Sequence, residues 1–430
     1  MRSVRRFALL PSVLLSAVLL ADGDDARQKS LEYQRKALDA YKRQDWPAFL
    51  ENSRQAEALR PGVPRLVYNL ACAEARNGHA AEAAKLLESL LDRKIDMGSG
   101  EDEDFAAVRD SESFAGVRRR LADLRRPVGS STVVFRIPEK DLLTEGIAWD
   151  ARSGSFFVSS VRHRKIVRRT KEGALSDFVP EGRDGLQSVL ALLVDGKRGL
   201  LWACSAALPQ MRGYEKSQEG ASAVFAFEIA TGRLSKRHAF PSDGKPHAAN
   251  DLALAANGDL YVSDSLGSGI YRLRAGAAAL EEFVAPGVFR SPQGLGFGPG
   301  GRLYVADWVT GLYWLDSEGK RRDVAGPEDV PLLGIDALVA SGGALVVTQN
   351  GIAPHRVVRL DLDAAGDRVV AGKILDMNDP EFVEPTLGVV VGGDFCFLGA
   401  SQWALFDEKT GAADAAKLRD PVLLKVAIGR

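Results

Sequence analysis

The stretch GDLYVSD (258–264) returns as GRLYVAD (301–307) further along the chain. In both copies a glycine is followed by alternating apolar and polar residues, which predicts a β-strand entered from a tight turn. Related stretches are GSFFVSS from 154, GLLWACS from 199, GALVVTQ from 343 and GDFCFLG from 393. The steps between the six copies are 45, 59, 43, 42 and 50 residues, which indicates a structural repeat.

Each copy follows a short turn and a strand of small and apolar residues: GIAW, LALLV, LALA, GLGF, ALVA or GVVV. Six units of about four strands each predict a six-bladed β-propeller over 130–430. A β-sandwich, the alternative, does not account for the period. STVVFRIP (131–138) and PVLLKVAIGR (421–430) flank the repeats, and we expect one or both to complete the last blade and cover its edge.

The segment before the propeller, residues 27–127, has helical spacing instead. Residues 28–94 resemble tetratricopeptide repeats, with a period of about 34 residues and small residues where helices cross. The run FAGVRRRLADLRR (114–126) predicts a further capping helix. The predicted fold is therefore tetratricopeptide-type α-helical hairpins followed by a six-bladed β-propeller. The helical repeats bind a protein partner or serve only in packing, and both interpretations stay open here.

The chain begins with a basic MRSVRRF and a 14-residue apolar run, ALLPSVLLSAVLLA. This pattern predicts a secretory signal peptide over 1–21, hence a periplasmic or secreted protein, with an uncleaved tether as the alternative. The run is shorter than the ~20 residues of a spanning helix, so no stable membrane span is expected. Lys+Arg is 56 against Asp+Glu 57, which gives no reason to expect nucleic acid. Three cysteines make neither a zinc pattern nor a disulfide framework.

Polar residues stand just before the inner strands, which line the central channel of a propeller. Aligned on the repeat, the six positions are Glu145, Leu190, Asn250, Gln293, Asp336 and Thr386, the last with Glu384 two residues upstream. Two carboxylates and two amides facing one axis form a donor set for a hard cation such as Ca²⁺. No His or Cys is among them, so zinc is not expected. The alternative is that these groups bond water or each other.

Residues of about 140–410 resemble the gluconolactonase and regucalcin-like (senescence marker protein-like) propellers, and more loosely the paraoxonase and strictosidine synthase-like ones. The resemblance rests on Glu145–Trp149 for E-G-x-x-W, Asn250-Asp251 for N-D, 291–295 for S-N-G-L, and Asp336 for the Asp of P-D-G. It implies that Glu145, Asn250, Gln293 and Asp336 bind Ca²⁺ or another divalent cation. It also implies that Asp336 accepts a proton in lactone hydrolysis.

Two residues depart from that family pattern. Gln293 replaces an Asn ligand, and Ala248 replaces an Arg that contacts substrate, with His247 beside it as a substitute. Further candidates for contact with a small molecule or lactone at the channel are Asp251, His163, Asp307, Trp308, Gln349 and Asn350. The expected function is an exported, cation-binding, gluconolactonase-like propeller that hydrolyses a lactone or related ester. The alternative is a non-catalytic ligand- or protein-binding propeller whose helical repeats act as a scaffold in the cell envelope.

Overall fold

The computed structural model describes residues 23–429, so the predicted signal peptide (1–21) lies outside the described residues. It divides into two compact units, residues 23–91 with 98–120 and residues 92–97 with 121–429. The segment 92–97 belongs to the second unit, where the Asp96 N–H donates to the Ala353 carbonyl at 2.8 Å. Among residues 23–429, no helix combines the length and the apolar character that crossing a membrane would require.

The first unit is helical, as its spacing predicts. Its described helices are α1 (Gly23–Lys42), α2 (Trp46–Leu59), α3 (Pro64–Arg76), α4 (Ala80–Asp92) and α5 (Ala115–Leu124). Asp45 caps α2 by accepting the Ala48 N–H at 3.2 Å, and Pro64 opens α3, where a missing N–H costs nothing. The helices α1 to α4 pair as hairpins, which confirms the helical prediction. Their tetratricopeptide identity stays a prediction.

The helices of this unit meet at small side chains. Ala56, Ala71 and Ala83 are at most 2% exposed, so neighbouring backbones can approach closely. Cys72 is buried beside them as a free thiol, and burial raises its pKa well above the ordinary value. Cys204 and Cys396 are buried and free as well, which agrees with the absence of a disulfide pattern in the sequence.

The second unit is built from four-stranded antiparallel sheets. Two strands precede the first blade, β1 (Val128–Gly129) and β2 (Thr132–Arg136). Blade one consists of β3 (Ile147–Asp150), β4 (Ser155–Ser160), β5 (Lys165–Arg169) and β6 (Leu175–Val179). Blade two consists of β7 (Ser188–Asp195), β8 (Leu200–Ala206), β9 (Ser222–Glu228) and β10 (Leu234–Ala239). Blade three consists of β11 (Ala249–Leu254), β12 (Leu260–Asp264), β13 (Gly269–Leu273) and β14 (Glu281–Val284).

The remaining blades repeat the design. Blade four consists of β15 (Pro292–Phe297), β16 (Leu303–Asp307), β17 (Gly311–Leu315) and β18 (Arg321–Asp323). Blade five consists of β19 (Ile335–Ser341), β20 (Ala344–Gln349), β21 (Arg356–Leu362) and β22 (Val369–Met377), and β1 pairs with β22 as an extra outer strand. Blade six contains β23 (Gly388–Val391), β24 (Asp394–Leu398) and β25 (Val422–Ala427). The described residues therefore form six sheets, and the six-bladed β-propeller is confirmed.

Short 3-10 helices lie in the connections of both units: Glu103–Phe105, Glu112–Phe114, Arg183–Gly185, Lys216–Gln218, Pro299–Gly301 and Trp403–Leu405. The core of the propeller lies between successive blades. Phe157 and Phe225 pack between blades one and two, and Trp202 packs with Tyr271 between blades two and three. Apolar side chains of neighbouring blades therefore share one cluster, and the face of each of these sheets is covered by the next blade.

Blade six is closed by both ends of the propeller sequence. The strand order of its sheet is β2-β25-β24-β23, so the N-terminal strand β2 forms the outer edge of the last blade. Leu424 in β25 pairs with Phe397 of β24 on one side and with Val133 of β2 on the other. This arrangement confirms the expected closure by both flanking strands and leaves β25 without an open edge.

Replacing Leu424 with Ala should destabilise the propeller, because Leu424 is 1% exposed and a cavity would form in the closing strand. We expect a loss of about 3 kcal/mol in the free energy of unfolding, measured by urea denaturation of the full chain. Lys425→Ala in the same strand is the control, since its side chain is 48% exposed and should change stability by less than about 0.5 kcal/mol. Equal midpoints for the two variants would contradict the closure argument.

Candidate functional site

Strand register places the predicted ring residues at equivalent points of their blades. In blades one, three, four and five, the inner strand pairs regularly from Ile147, Leu252, Leu295 and Leu338 onward. The ring residue stands two positions earlier in each case: Glu145, Asn250, Gln293 and Asp336. The alignment made on the sequence repeat is therefore matched by the pairing of the strands.

A recurring β-bulge prepares this position. The register shifts between Ala249 and Leu252, between Pro292 and Leu295, and between Ile335 and Leu338. A bulge releases residues from the ladder and redirects their side chains, and bulges are frequent beside active sites.

The backbone N–H of the residue after the ring residue donates its hydrogen bond to a hydroxyl of the second strand instead of to a backbone carbonyl. Ser159 accepts the Gly146 N–H at 2.7 Å, Ser263 accepts that of Asp251 at 2.9 Å, and Thr348 accepts that of Ala337 at 3.0 Å. A buried N–H without a partner would be costly. The Ser or Thr near the end of the repeated strand thus holds the bulge in place.

Glu145 is one of the two ring carboxylates, and it is 6% exposed. The Trp403 indole donates to its Oε2 at 2.5 Å. The Ser401 hydroxyl oxygen, which donates to the Thr144 carbonyl, lies 3.3 Å from the same Oε2. Burial, and then repulsion from the nearby Asp336 carboxylate, raise the pKa of Glu145 well above its ordinary value. The side chain is thus buried, near a second carboxylate, and held by an indole.

Asp336 is the second ring carboxylate, in blade five. The Asn350 side-chain amide donates to its Oδ2 at 2.6 Å, and the Trp308 indole donates to the Asn350 oxygen at 2.9 Å. The structure therefore brings two of the predicted loop residues, Trp308 and Asn350, to this carboxylate. Burial raises the pKa of Asp336 to about 6, although the bond from Asn350 opposes the shift.

The two ring amides bond to each other. The Asn250 side-chain nitrogen donates to Gln293 Oε1 at 2.6 Å, and the Gln293 nitrogen donates to the Ser291 hydroxyl at 2.9 Å. The extra methylene of Gln, compared with the Asn of the family pattern, extends its carbonyl toward the neighbouring blade. The oxygen that the resemblance assigns to a cation is thereby engaged in a hydrogen bond to Asn250.

Asp251 lies beside the ring and joins two inner strands. Its Oδ2 accepts the Leu295 N–H at 2.8 Å, which connects blade three to blade four, and burial raises its pKa to about 7. The same residue lines a cavity of about 330 Å³ inside the channel. The other walls of this cavity are mainly apolar inner-strand side chains such as Leu192, Leu338 and Leu387.

Glu384 is a third carboxylate near Glu145 and Asp336, and the family pattern gave no reason to select it. Burial, and then the charge of Asp336, raise its pKa to about 7, while the backbone N–H groups of Ala404 and Trp403 oppose the shift. Its Oε2 is buried and has no hydrogen-bond partner. Only its position two residues before Thr386 could have drawn attention to it in the sequence.

The charges of these carboxylates are not balanced by protein cations. Among residues 23–429, no Lys, Arg or His side chain forms an ion pair with Glu145, Asp251, Asp336 or Glu384. Buried charge without a partner is costly, so such a cluster favours protons or a bound cation. The carboxylate and amide oxygens, with one buried oxygen unpartnered, fit the donor preference of Ca²⁺.

The carboxylate oxygens are spread more widely than a coordination sphere. Within the described residues, the one group of three His, Cys, Asp or Glu whose ligand atoms all lie within 4.8 Å of one another is Cys72, Asp102 and Asp104 of the helical unit. There Arg76 already pairs with Asp104 at 2.7 Å, so that group has its own counter-charge. At the channel, a cation would replace the mutual repulsion of the carboxylates with attraction and draw them together.

Two other predicted contacts hold loops instead of facing the channel. His247 is 2% exposed, and its ring nitrogens lie 2.5 Å from Asp264 Oδ2 and 3.1 Å from Asp243 Oδ1. Asp307 is fully buried and accepts the backbone N–H groups of Ser291, Val309 and Thr310, among others. The polar atoms of both side chains are hydrogen-bonded to groups near the ends of the second strands.

Gln349 and His163 are placed in a similar way. The Gln349 side chain donates to the carbonyls of Pro331 and Leu333 at 2.8 and 2.9 Å. His163 is 5% exposed and lies between Glu139 and Asp141, at 3.3 and 3.1 Å. The structure therefore gathers Glu145, Asn250, Asp251, Gln293, Trp308, Asn350 and Asp336 near the ring, and leaves His163, His247, Asp307 and Gln349 in loop contacts.

The chain resembles solved propellers at low sequence identity. Regucalcin, a calcium-binding protein from Agrobacterium tumefaciens, is 17% identical with a TM-score of 0.49, covering 70% of this chain and 96% of that one. A luciferin-regenerating enzyme is 13% identical with a TM-score of 0.48, covering 70% and 95%. An inactive variant of virginiamycin B lyase from Staphylococcus aureus, solved with quinupristin, is 14% identical with a TM-score of 0.46, covering 69% and 99%.

These likenesses bear on the fold alone. Neither a protein-family model nor a curated protein matches the sequence. The activity of the site has to be argued from its own residues.

The buried carboxylates should make the stability of the metal-free protein depend on pH. The pKa of Asp336 is about 6 in the folded state against 3.8 in the unfolded chain, so the folded state keeps a proton that the unfolded state has lost. The free energy of unfolding should therefore fall as pH rises from about 4 to about 7, by roughly 3 kcal/mol from Asp336 alone. Urea denaturation in a chelator measures this.

Asp336→Asn should remove that part of the pH dependence, because an amide does not titrate and can still accept the bond from Asn350. The variant should be more stable than the wild type at pH 8, and the two should converge near pH 4. Asp376→Asn is the comparison variant, because burial raises the pKa of Asp376 as well, and this side chain bonds the Ser131 N–H at 3.0 Å, away from the ring residues. It should remove only its own share of the pH dependence and leave that of Asp336 in place. Parallel pH curves for wild type and Asp336→Asn would contradict the assignment.

Proposed function

We propose that the propeller binds a hard divalent cation, calcium first, at the mouth of its central channel and hydrolyses a lactone or related ester there. The observation that carries the proposal is a group of carboxylates with no basic partner among residues 23–429: Glu145 and Asp336, which are buried, and Asp251 and Glu384, which are partly buried. Such a group is unfavourable in the folded protein unless positive charge joins it. The proposal agrees with the family resemblance on Glu145 and Asp336.

The ligands in this proposal come from separate blades. Glu145 and Asp336 supply charged oxygens, and Asn250 offers its carbonyl because its amide nitrogen is already used in the bond to Gln293. Gln293 could join only by giving up that bond. Ca²⁺ accepts such mixed carboxylate and amide sets in flexible geometry, which suits residues from different strands.

A bound divalent cation would polarise the ester carbonyl as a Lewis acid. Asp336 is suited to act as the base, because it is buried at the ring, oriented by Asn350, and would be kept ionised by a bound cation, so that it could take a proton from water. Its Oδ2 accepts the Asn350 amide, so Oδ1 would be the oxygen that takes the proton. The water oxygen attacks the carbonyl carbon while Asp336 takes the proton.

Asp336 then gives this proton to the leaving oxygen as the ring C–O bond breaks, so it returns to its starting state. Asn350 keeps the carboxylate oriented through both steps, and Trp308 in turn holds Asn350. A covalent nucleophile is not part of this mechanism. The sequence has no nucleophile elbow, and burial raises the pKa values of Cys72, Cys204 and Cys396, which keeps their thiols protonated.

The residues around Asn250 bear on the substrate. Ala248 stands where the family pattern has Arg, and both ring nitrogens of His247 are engaged by Asp243 and Asp264. Two polar contacts that would recognise a sugar hydroxyl are therefore lacking. We propose a lactone or ester with fewer hydroxyl groups than a sugar lactone. Export through the signal peptide at 1–21, and a protein partner for the helical repeats, remain proposals from the sequence.

Calcium binding is the first test of this function. Calorimetric titration of the full chain at pH 8 should show one site, and calcium should raise the melting temperature because it binds the folded state. Asp336→Asn should weaken binding at least about tenfold, since it removes a charged ligand, whereas Asp376→Asn should bind as the wild type does. If neither Ca²⁺, Mg²⁺ nor Mn²⁺ binds the wild type, the proposal fails and the non-catalytic binding propeller is favoured.

Hydrolysis is tested separately, with a panel of lactones and esters followed by proton release. Chelation should abolish turnover, and Asp336→Asn should lower kcat/KM by about 10²–10⁴-fold, the usual contribution of a general base. Asp376→Asn again serves as the control and should retain full activity. Turnover that survives both chelation and Asp336→Asn would contradict this mechanism.

A further inference from the structure

Blade six does not contribute its ring residue to the channel in the way that the other blades do. The ring position is Thr386, and its hydroxyl donates to the Glu145 backbone carbonyl at 3.1 Å. The neighbouring Leu387 N–H approaches the same carbonyl at 3.3 Å. Thr386 thereby uses its hydroxyl hydrogen to join blade six to blade one, and it brings no charge to the ring.

Glu384, two residues before Thr386, is the acidic residue of blade six that lies near Glu145 and Asp336. Its backbone is fixed, because its carbonyl accepts the Ser401 N–H at 3.0 Å and the Val383 N–H before it bonds Gly399 at 3.0 Å. The carboxylate faces the start of the short helix Trp403–Leu405, where the N–H groups of Trp403 and Ala404 lower its pKa. Asp336 and Glu145 lie near enough for their charges to interact unfavourably with that of Glu384.

One oxygen of the Glu384 carboxylate is not satisfied by hydrogen bonds within the described residues. Oε2 of Glu384 is buried and has no hydrogen-bond partner among residues 23–429. A buried acceptor left unpaired costs about 1–3 kcal/mol, and more when it carries charge. The charges of Glu145 and Asp336 act on this same carboxylate, so the unpaired oxygen belongs to a group that interacts with both ring carboxylates.

We propose that Glu384 is a ligand of the cation at the channel mouth, in the role that the family pattern gives to Gln293. The proposal rests on the proposed cation-binding function. Gln293 then serves to hold Asn250, through the 2.6 Å bond between their side chains. The ligand set becomes three carboxylates and one amide: Glu145, Asp336, Glu384 and Asn250.

This set carries one more negative charge than the family pattern implies. Calcium affinity rises with the charge count of the ligands, so Glu384 compensates for the loss of the Gln293 carbonyl. The compensation also explains why a chain with Gln at this position keeps both Glu145 and Asp336. Removing the charge of Glu384 should therefore matter more than removing the amide of Gln293.

The test compares calcium titrations of the full chain for the wild type, Glu384→Gln and Gln293→Ala, at pH 8, with Asp376→Asn as the buried control. We expect calcium to bind Glu384→Gln at least about tenfold more weakly than the wild type, and Gln293→Ala within about threefold of it. The melting temperature without calcium should not fall in Glu384→Gln, because a repelling charge has been removed. The rise caused by calcium should be lost.

The outcomes separate this inference from the proposed function. If the wild type binds calcium and Glu384→Gln binds equally well, Glu384 is not a ligand while the cation site stands. If the wild type binds none, the proposed function itself fails. If Glu384→Gln does not fold, Glu384→Asp decides, because it keeps the charge and shortens the reach. Weaker calcium binding by Glu384→Asp supports the inference, and unchanged binding overturns it.

Discussion

The closure of the propeller ring is the constraint on which the remaining structure depends. Residues 132–136 pair with residues 422–427 of the other end of the propeller sequence, and this single antiparallel pair completes blade six. Joining segments so distant in sequence has a high entropic cost, which only the buried inter-blade contacts can offset. Closure also fixes the blades around one axis. Glu145 of blade one and Asp336 of blade five can repel each other only because the ring is closed.

The site follows from the repeat by a local device. In blades three, four and five, a bulge interrupts the inner strand at the ring position, and in blades one, three and five a hydroxyl of the second strand accepts the next N–H group. Blades three and five share both features and blades one and four have one each, so the backbone at the ring position is similar while the side chain differs between blades. Where that side chain is acidic, burial and neighbouring charge raise its pKa, as for Asp336. A scaffold that repeats its backbone thus concentrates unlike side chains at one point.

The fold could be predicted from the sequence because the repeat GDLYVSD and its relatives recur at blade length, and the ring positions followed from the same alignment. The direction of individual side chains could not be predicted. His247 precedes a strand and Asp307 ends one, which are also the positions of the site residues. Their side chains nevertheless bond groups of the loops, because the buried N–H groups and charges there need partners. Glu384 was not selected because it stands outside the repeat position. It approaches the ring through a loop whose path depends on Ser401 and the short helix Trp403–Leu405.

The pair of Gln293 and Glu384 shows how one methylene can redistribute a site. Asn at position 293 would be one methylene shorter than the Gln that bonds Asn250 here. Gln extends the carbonyl far enough to accept the Asn250 amide at 2.6 Å, so that oxygen serves packing between blades. Within the described residues, Oε2 of Glu384 in blade six is a buried oxygen without a hydrogen-bond partner. These two departures are explained together if the ligand position has moved from blade four to blade six, since each one alone would leave either a gap in the donor set or an unpaired buried charge.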